Sequence, residues 1–126
     1  VPALDLLEQG HQAYVLELSS FQLETTRSLK PAVATVLNVS EDHLDRYRDF
    51  ADYRDTKLGL LEQAERVICN LDAPELACDD PQQAFSVSSD RAAWHLIERA
   101  GETWLARQRR PLLPVSALKI RGRHNW

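Results

Sequence analysis

A chain of 126 residues suffices for one domain that buries roughly two-thirds of its extended surface, and it is small for an enzyme that must hold several large substrates. Its formal net charge of -4 argues against a nucleic-acid binder, no apolar run is long enough to span a membrane, and nothing resembles a signal peptide. Cys69 and Cys78 are too few and too poorly spaced for a zinc knuckle or a disulfide framework, so reduced, partly buried thiols in a cytoplasmic chain are the expectation.

The chain opens in mid-pattern at Val1-Pro2 without an initiating methionine and stops at His124-Asn125-Trp126, so both ends are expected to be cuts through a longer protein. Leu4, Leu7 and Glu8 recur at helical spacing before Gly10, as at the end of a helix. Residues 12–18 form an apolar-rich run that suits a parallel strand covered on both faces, and Ser19-Ser20 ends it. Glu17 would then stand near the carboxyl edge of that strand, where open α/β sheets bind ligands. A short turn or helix over residues 22–28 leads through Pro31 to a second apolar strand at residues 32–39.

Ser40 is an N-cap candidate, with Glu41-Asp42-His43 in the turn that follows. The clearest helix spans residues 50–64, with Tyr53, Lys57, Leu60, Leu61 and Ala64 on one stripe and Asp52, Arg54, Asp55 and Glu62 on other faces. A third strand at residues 66–71 ends at Asp72-Ala73-Pro74, and strand, helix and strand together predict a right-handed crossover. After Pro81 the pattern changes to short runs at residues 84–87, 94–97, 103–106 and 112–115, which read as antiparallel or edge strands. Residues 98–102 form the turn of a hairpin. The fold class is therefore α/β, a mostly parallel sheet with helices and a smaller antiparallel or edge-strand portion, in one undivided domain.

Each residue that carries chemistry has two readings. Glu17, among apolar neighbours, is either a magnesium ligand or a strand-end carboxylate in water, because burying it unpaired costs several kcal/mol. His43 either ligates or hydrogen-bonds a substrate oxygen, or has no site role; magnesium prefers oxygen donors. Lys57 lies on the apolar stripe of its helix, where its ammonium either meets an anion or snorkels to the surface. Addition of carbon dioxide to the neutral amine would instead make an anionic carbamate able to bind magnesium. Ser19 and Gln22 either face a substrate or form a turn, and Asn70 and Asp72 either bind a ligand or end their strand. Arg107, Arg109 and Arg110, like Arg121 and Arg123, are either an anion-attracting patch or solvated turns, and the three tryptophans read as sheet-facing anchors.

Four stretches taken together, in this order, resemble the D-glutamate-adding branch of the Mur ligase family: residues 17–26 (ELSSFQLETT), 37–47 (LNVSEDHLDRY), 53–57 (YRDTK) and 122–125 (GRHN). The resemblance implies part of the central ATP-binding domain of a three-domain cytoplasmic ligase, monomeric, with no nucleic-acid partner. The implied reaction phosphorylates the carboxylate of UDP-N-acetylmuramoyl-L-alanine from ATP, after which the amine of D-glutamate attacks the acyl phosphate. By the same resemblance Glu17 and His43 organise Mg2+ and the substrates, and a carbamylated Lys57 binds a second Mg2+. Ser19 approaches the substrate, Gln22 organises its surroundings, and Asn125 belongs to a cofactor-binding signature. The family's glycine-rich phosphate loop, its amino-terminal nucleotide-substrate domain and its carboxyl-terminal domain are absent from these residues, so the isolated segment is expected to be inactive. A degenerate binding or structural module, and a ligase that adds L-glutamate, are the alternatives.

Overall fold

The computed structural model describes residues 3–6, 9–42 and 45–119. Within them six strands make one sheet in chain order: β1 (Ala34–Thr35), β2 (Val67–Asn70), β3 (Ala84–Ser86), β4 (Trp94–Arg99), β5 (Glu102–Arg107) and β6 (Arg110–Pro114). Strands β1 to β4 run parallel to their neighbours, while β4, β5 and β6 form an antiparallel meander. The α/β class holds, and the parallel part reaches further than the sequence pattern implies. Residues 84–86 add in parallel to β2 and residues 94–99 in parallel to β3, and only the last two pairings are antiparallel.

The helices are α1 (Ser20–Thr25) and α2 (Phe50–Glu62), which pack against each other. Ser19 begins α1 through a capping box: its hydroxyl accepts from the Gln22 amide at 3.3 Å, and the Gln22 side-chain oxygen accepts from the Ser19 amide at 2.8 Å. Asp49 caps α2 by accepting from the Asp52 amide at 2.8 Å. Helix α2 carries the chain from β1 to its parallel neighbour β2, as the strand, helix and strand pattern requires. The expected helix end near residue 9 is a single 3-10 turn, Ala3–Leu6.

The run at residues 12–18 is not a strand. It is extended, Val15 is 97% exposed, and no described strand pairs with it. Apolar character alone does not make a strand; its amides and carbonyls need a ladder partner, and the described sheet ends at β1. The second expected strand likewise shrinks to Ala34–Thr35, because only these residues register with β2.

Two apolar clusters hold the domain. Val39, Tyr47, Tyr53 and Leu76 lock α2 to the loop after β2, while Cys69, Ala84 and Ala92 pack where β2 meets β3. The expectation of reduced thiols is corrected here: Cys69 and Cys78 are joined as a disulfide, with Cα atoms 5.9 Å apart. The 3-10 turn Pro74–Leu76 brings the chain back so that Cys78 faces the end of β2, and the Cα separation lies within the range that a disulfide bridges. Sequence spacing gave no sign of this, because the return of the chain is made by a turn rather than by a regular element.

Both hairpins of the meander turn through two residues with positive φ, Ala100-Gly101 (53° and 78°) and Gln108-Arg109 (49° and 64°). Two-residue hairpin loops demand this geometry, since only the primed turns match the right-handed twist of the flanking strands.

Candidate active site

A cavity of about 710 Å³ opens beside the carboxyl end of β1. Its walls come from four places: residues 15–18 of the extended segment, Leu23 of α1, residues 35–38 that continue β1, and Lys57 and Leu60 of α2. Glu17 and Lys57, forty residues apart in sequence, therefore line one space. The cavity lies where open α/β sheets take ligands, outside the carboxyl ends of parallel strands.

Lys57 is half-buried, and its Nζ sits 4.7 Å from the centroid of the Tyr53 ring one turn earlier. The ring is itself 3% exposed and belongs to the core, so it is a fixed negative face for the cation. The ammonium thus neither snorkels freely into water nor is buried without a partner. Glu17 is exposed, and its carboxylate requires no compensating charge in the protein.

Ser19 and Gln22 are engaged with each other. Besides the two backbone bonds of the capping box, the Ser19 hydroxyl donates to Gln22 Oε1 at 3.1 Å. The turn-forming reading of both residues therefore accounts for their contacts. Asn70 and Asp72 likewise finish their strand. The Asp72 amide donates to Asn70 Oδ1 at 2.9 Å, and the Asp72 carboxylate accepts from Ser86 Oγ at 2.6 Å, from the Val87 amide at 2.7 Å and from Ser88 Oγ. Burial opposes ionisation of Asp72, but these donors outweigh it and hold its pKa below the usual carboxylate value. His43 and Asn125 lie outside the described residues.

Two contributors to the cavity, Leu37 and Asn38, had no site role in the sequence reading, and Asn70 acts on that wall from outside. Leu37 and Asn38 form its wall beyond β1, and Asn70 reaches across from β2 to donate from Nδ2 to the Leu37 carbonyl at 2.8 Å. The available signal was positional, since Leu37 and Asn38 lie just past the carboxyl end of β1 and Asn70 is the last residue of the adjacent parallel strand β2. Arg107 and Arg109 settle as surface partners, while Arg121 and Arg123 lie outside the described residues. Arg107 lies over the Trp94 ring at 5.1 Å and Arg109 pairs with Asp90. Beside α1, Arg46 grips Glu24 with bonds of 3.0 and 2.7 Å and stacks 5.0 Å from the Phe21 ring. Its guanidinium pulls the Glu24 carboxyl down to about 2.

The donor set bears on magnesium. No group of three or more histidine, cysteine or acidic side chains converges among the described residues. What the cavity offers is one carboxylate, Glu17, and a lysine that becomes a second anionic oxygen donor if carbamylated. Mg2+ is suited to sites with as few as one carboxylate ligand completed by water and phosphate, which Glu17 alone can supply. The residues thus fit an open magnesium site. They do not fit a nucleotide triphosphate cradle, because the four glycines, at positions 10, 59, 101 and 122, make no glycine-rich loop.

Fold and cavity together define an α/β domain whose mostly parallel sheet carries, at the carboxyl end of β1, a cavity lined by Glu17 and Lys57. The chain belongs to the Mur ligase middle domain family, whose model matches residues 3–110. It is 45% identical over 126 residues to the UDP-N-acetylmuramoylalanine--D-glutamate ligase of Pasteurella multocida. It is 51% identical over 130 residues to the enzyme of the same name in Pseudomonas aeruginosa, and 48% over 123 residues to that of Aliivibrio fischeri. These alignments cover 100%, 99% and 98% of this chain but only 29%, 29% and 28% of the relatives, so the chain spans less than a third of their length. No helix among the described residues is long and apolar enough to cross a membrane.

Proposed function

We propose that this chain is the middle portion of an ATP-dependent, cytoplasmic, monomeric ligase that joins D-glutamate to UDP-N-acetylmuramoyl-L-alanine through an acyl phosphate, in peptidoglycan precursor synthesis. The observation that carries the reading is the shared cavity of Glu17 and Lys57 at the carboxyl end of β1, in a chain whose relatives bear that ligase name at 43–51% identity. The ATP phosphates and the two substrates would be received mainly by the remainder of the ligase.

Magnesium, when bound, would neutralise the crowded phosphate and carboxylate oxygens as the acyl phosphate forms and collapses. Glu17 would hold one such ion as an anionic oxygen ligand, and His43 would share that role or bind a substrate oxygen. Lys57 would act as a carbamate. Forming it converts the cation now resting on Tyr53 into an anion that the ring face repels, so the side chain would turn from the ring toward the cavity. Tyr53 would thus hold the unmodified lysine in place until carbon dioxide adds. Ser19 and Gln22 would serve by fixing the start of α1 next to Glu17, and Asn125 would contribute to the cofactor pocket.

The test is ATP-dependent phosphate release by the intact ligase with magnesium, UDP-N-acetylmuramoyl-L-alanine and either D- or L-glutamate. Product with D-glutamate alone is expected; product with L-glutamate changes the substrate, and none with either, from folded protein, favours a degenerate binding role. Lys57→Ala should lower kcat by about 10²-fold or more, and Lys57→Arg should not restore it, since arginine forms no such carbamate. Glu17→Gln should raise the magnesium requirement without lowering thermal stability. Near-normal turnover in Lys57→Ala removes the metal role.

A further inference from the structure

The paired cysteines are not used by the proposed chemistry, yet they close the loop that leans on the cavity. Cys69, the penultimate residue of β2, is 7% exposed, whereas Cys78 is half-buried. Between them, Asn70 donates to the Leu37 carbonyl at the cavity wall, and Leu76 packs with Val39, Tyr47 and Tyr53, the residue beneath Lys57. Residues 70–78 therefore touch the cavity wall directly at Leu37 and reach Lys57 indirectly through Tyr53, and the cysteines stand at the base of that loop.

The proposed cytoplasmic setting keeps thiols reduced, and the disulfides that do form there are transient, catalytic or redox-sensing. We propose that Cys69 and Cys78 are a reversible oxidation site, a dithiol that takes a small disulfide such as oxidised glutathione and thereby tightens residues 70–78 against the Glu17–Lys57 cavity. The transient character rests on the proposed cytoplasmic ligase; the pairing itself does not. The more accessible Cys78 acts first. Its thiolate attacks one sulfur of oxidised glutathione, forming a mixed disulfide and releasing one glutathione thiolate. The Cys69 thiolate then attacks the Cys78 sulfur and expels the second. Two protein thiols lose two electrons and two protons in all, and one oxidised glutathione becomes two reduced. A Cα separation of 5.9 Å lets the ring close without backbone movement.

The chain holds only these two cysteines, so intact mass after alkylation counts free thiols directly. Equilibrated with glutathione buffers of graded ratio, the chain should lose both thiols together at oxidising ratios and regain both in excess reduced glutathione. Ring closure should be favoured at least about tenfold more in native buffer than in urea, because the fold presents the pair. Cys69→Ser should accumulate a glutathione adduct at Cys78, and alkylation of Cys69 in Cys78→Ser should be about tenfold slower than that of Cys78. Amides of residues 71–78 should exchange faster with solvent after reduction. Thiols that stay free in oxidised glutathione, equal closure in urea, a bond that resists excess reduced glutathione, or unchanged exchange would each overturn the proposal. None of these readouts uses ligase activity, so failure here and failure of the proposed function are distinguishable.

Discussion

The first hairpin of the meander permits a test in which neighbouring substitutions should act with opposite sign. Ala100 and Gly101 both hold positive φ, at 53° and 78°, in the two-residue loop between β4 and β5. A left-handed conformation costs an L-residue with a Cβ about 1–2 kcal/mol, and asparagine tolerates it better than alanine through local hydrogen bonds. Ala100→Asn creates the Asn-Gly pair that such turns favour and should stabilise the chain by about 0.5–1 kcal/mol. Gly101→Ala should destabilise it by about 1 kcal/mol, although an added Cβ would meet nothing within 4 Å. Ala100 is exposed, so packing contributes little to either change and the backbone decides both signs. Urea unfolding of the chain measures the effect as a shift in midpoint at constant slope, equivalent to about 4 °C in Tm for each kcal/mol. A destabilising Ala100→Asn, or a neutral Gly101→Ala, would refute the turn assignment.

Two further outcomes follow from packing and charge. Leu76, 6% exposed in the cluster around Tyr53, should cost about 2–4 kcal/mol when replaced by alanine, read by urea unfolding; a loss under about 1 kcal/mol would mean that the loop is not anchored there. The Glu24 carboxyl, held at about 2 against an ordinary 4.5, contributes stability that is complete above pH 4.5 and is lost as pH falls through about 2. Arg46→Ala should flatten that part of the stability profile, and an unchanged acid slope would refute the pairing.

How much was legible depends on whether the signal was local. Helix α2 could be read because Tyr53, Lys57, Leu60 and Leu61 recur at helical spacing, and β2 could be read as an apolar run cut by Asp72. Residues 12–18 misled because their apolar composition is that of a strand while pairing depends on a neighbour, which composition does not encode. The parallel addition of β3 and β4 was hidden for the same reason. At the site, Glu17 and Lys57 were recognisable as residue types, but their common cavity follows from α2 crossing between β1 and β2. Asn70 looked like a strand terminator and is one; its second bond, to Leu37, could be found only with the adjacent strand in place.

The change from parallel to antiparallel pairing at β4 also orders events in time. Strands β4, β5 and β6 join through two-residue loops and can zip without waiting for the rest of the chain, whereas β1 meets β2 only after some thirty intervening residues have been gathered. Contacts of short sequence separation form early because little loop entropy stands in their way. The meander is thus the natural nucleus, and the wall of the cavity is a late arrival. Substitutions near Glu17 and Lys57 will accordingly be felt mainly in how fast the domain comes apart, and those in the hairpins in how fast it assembles.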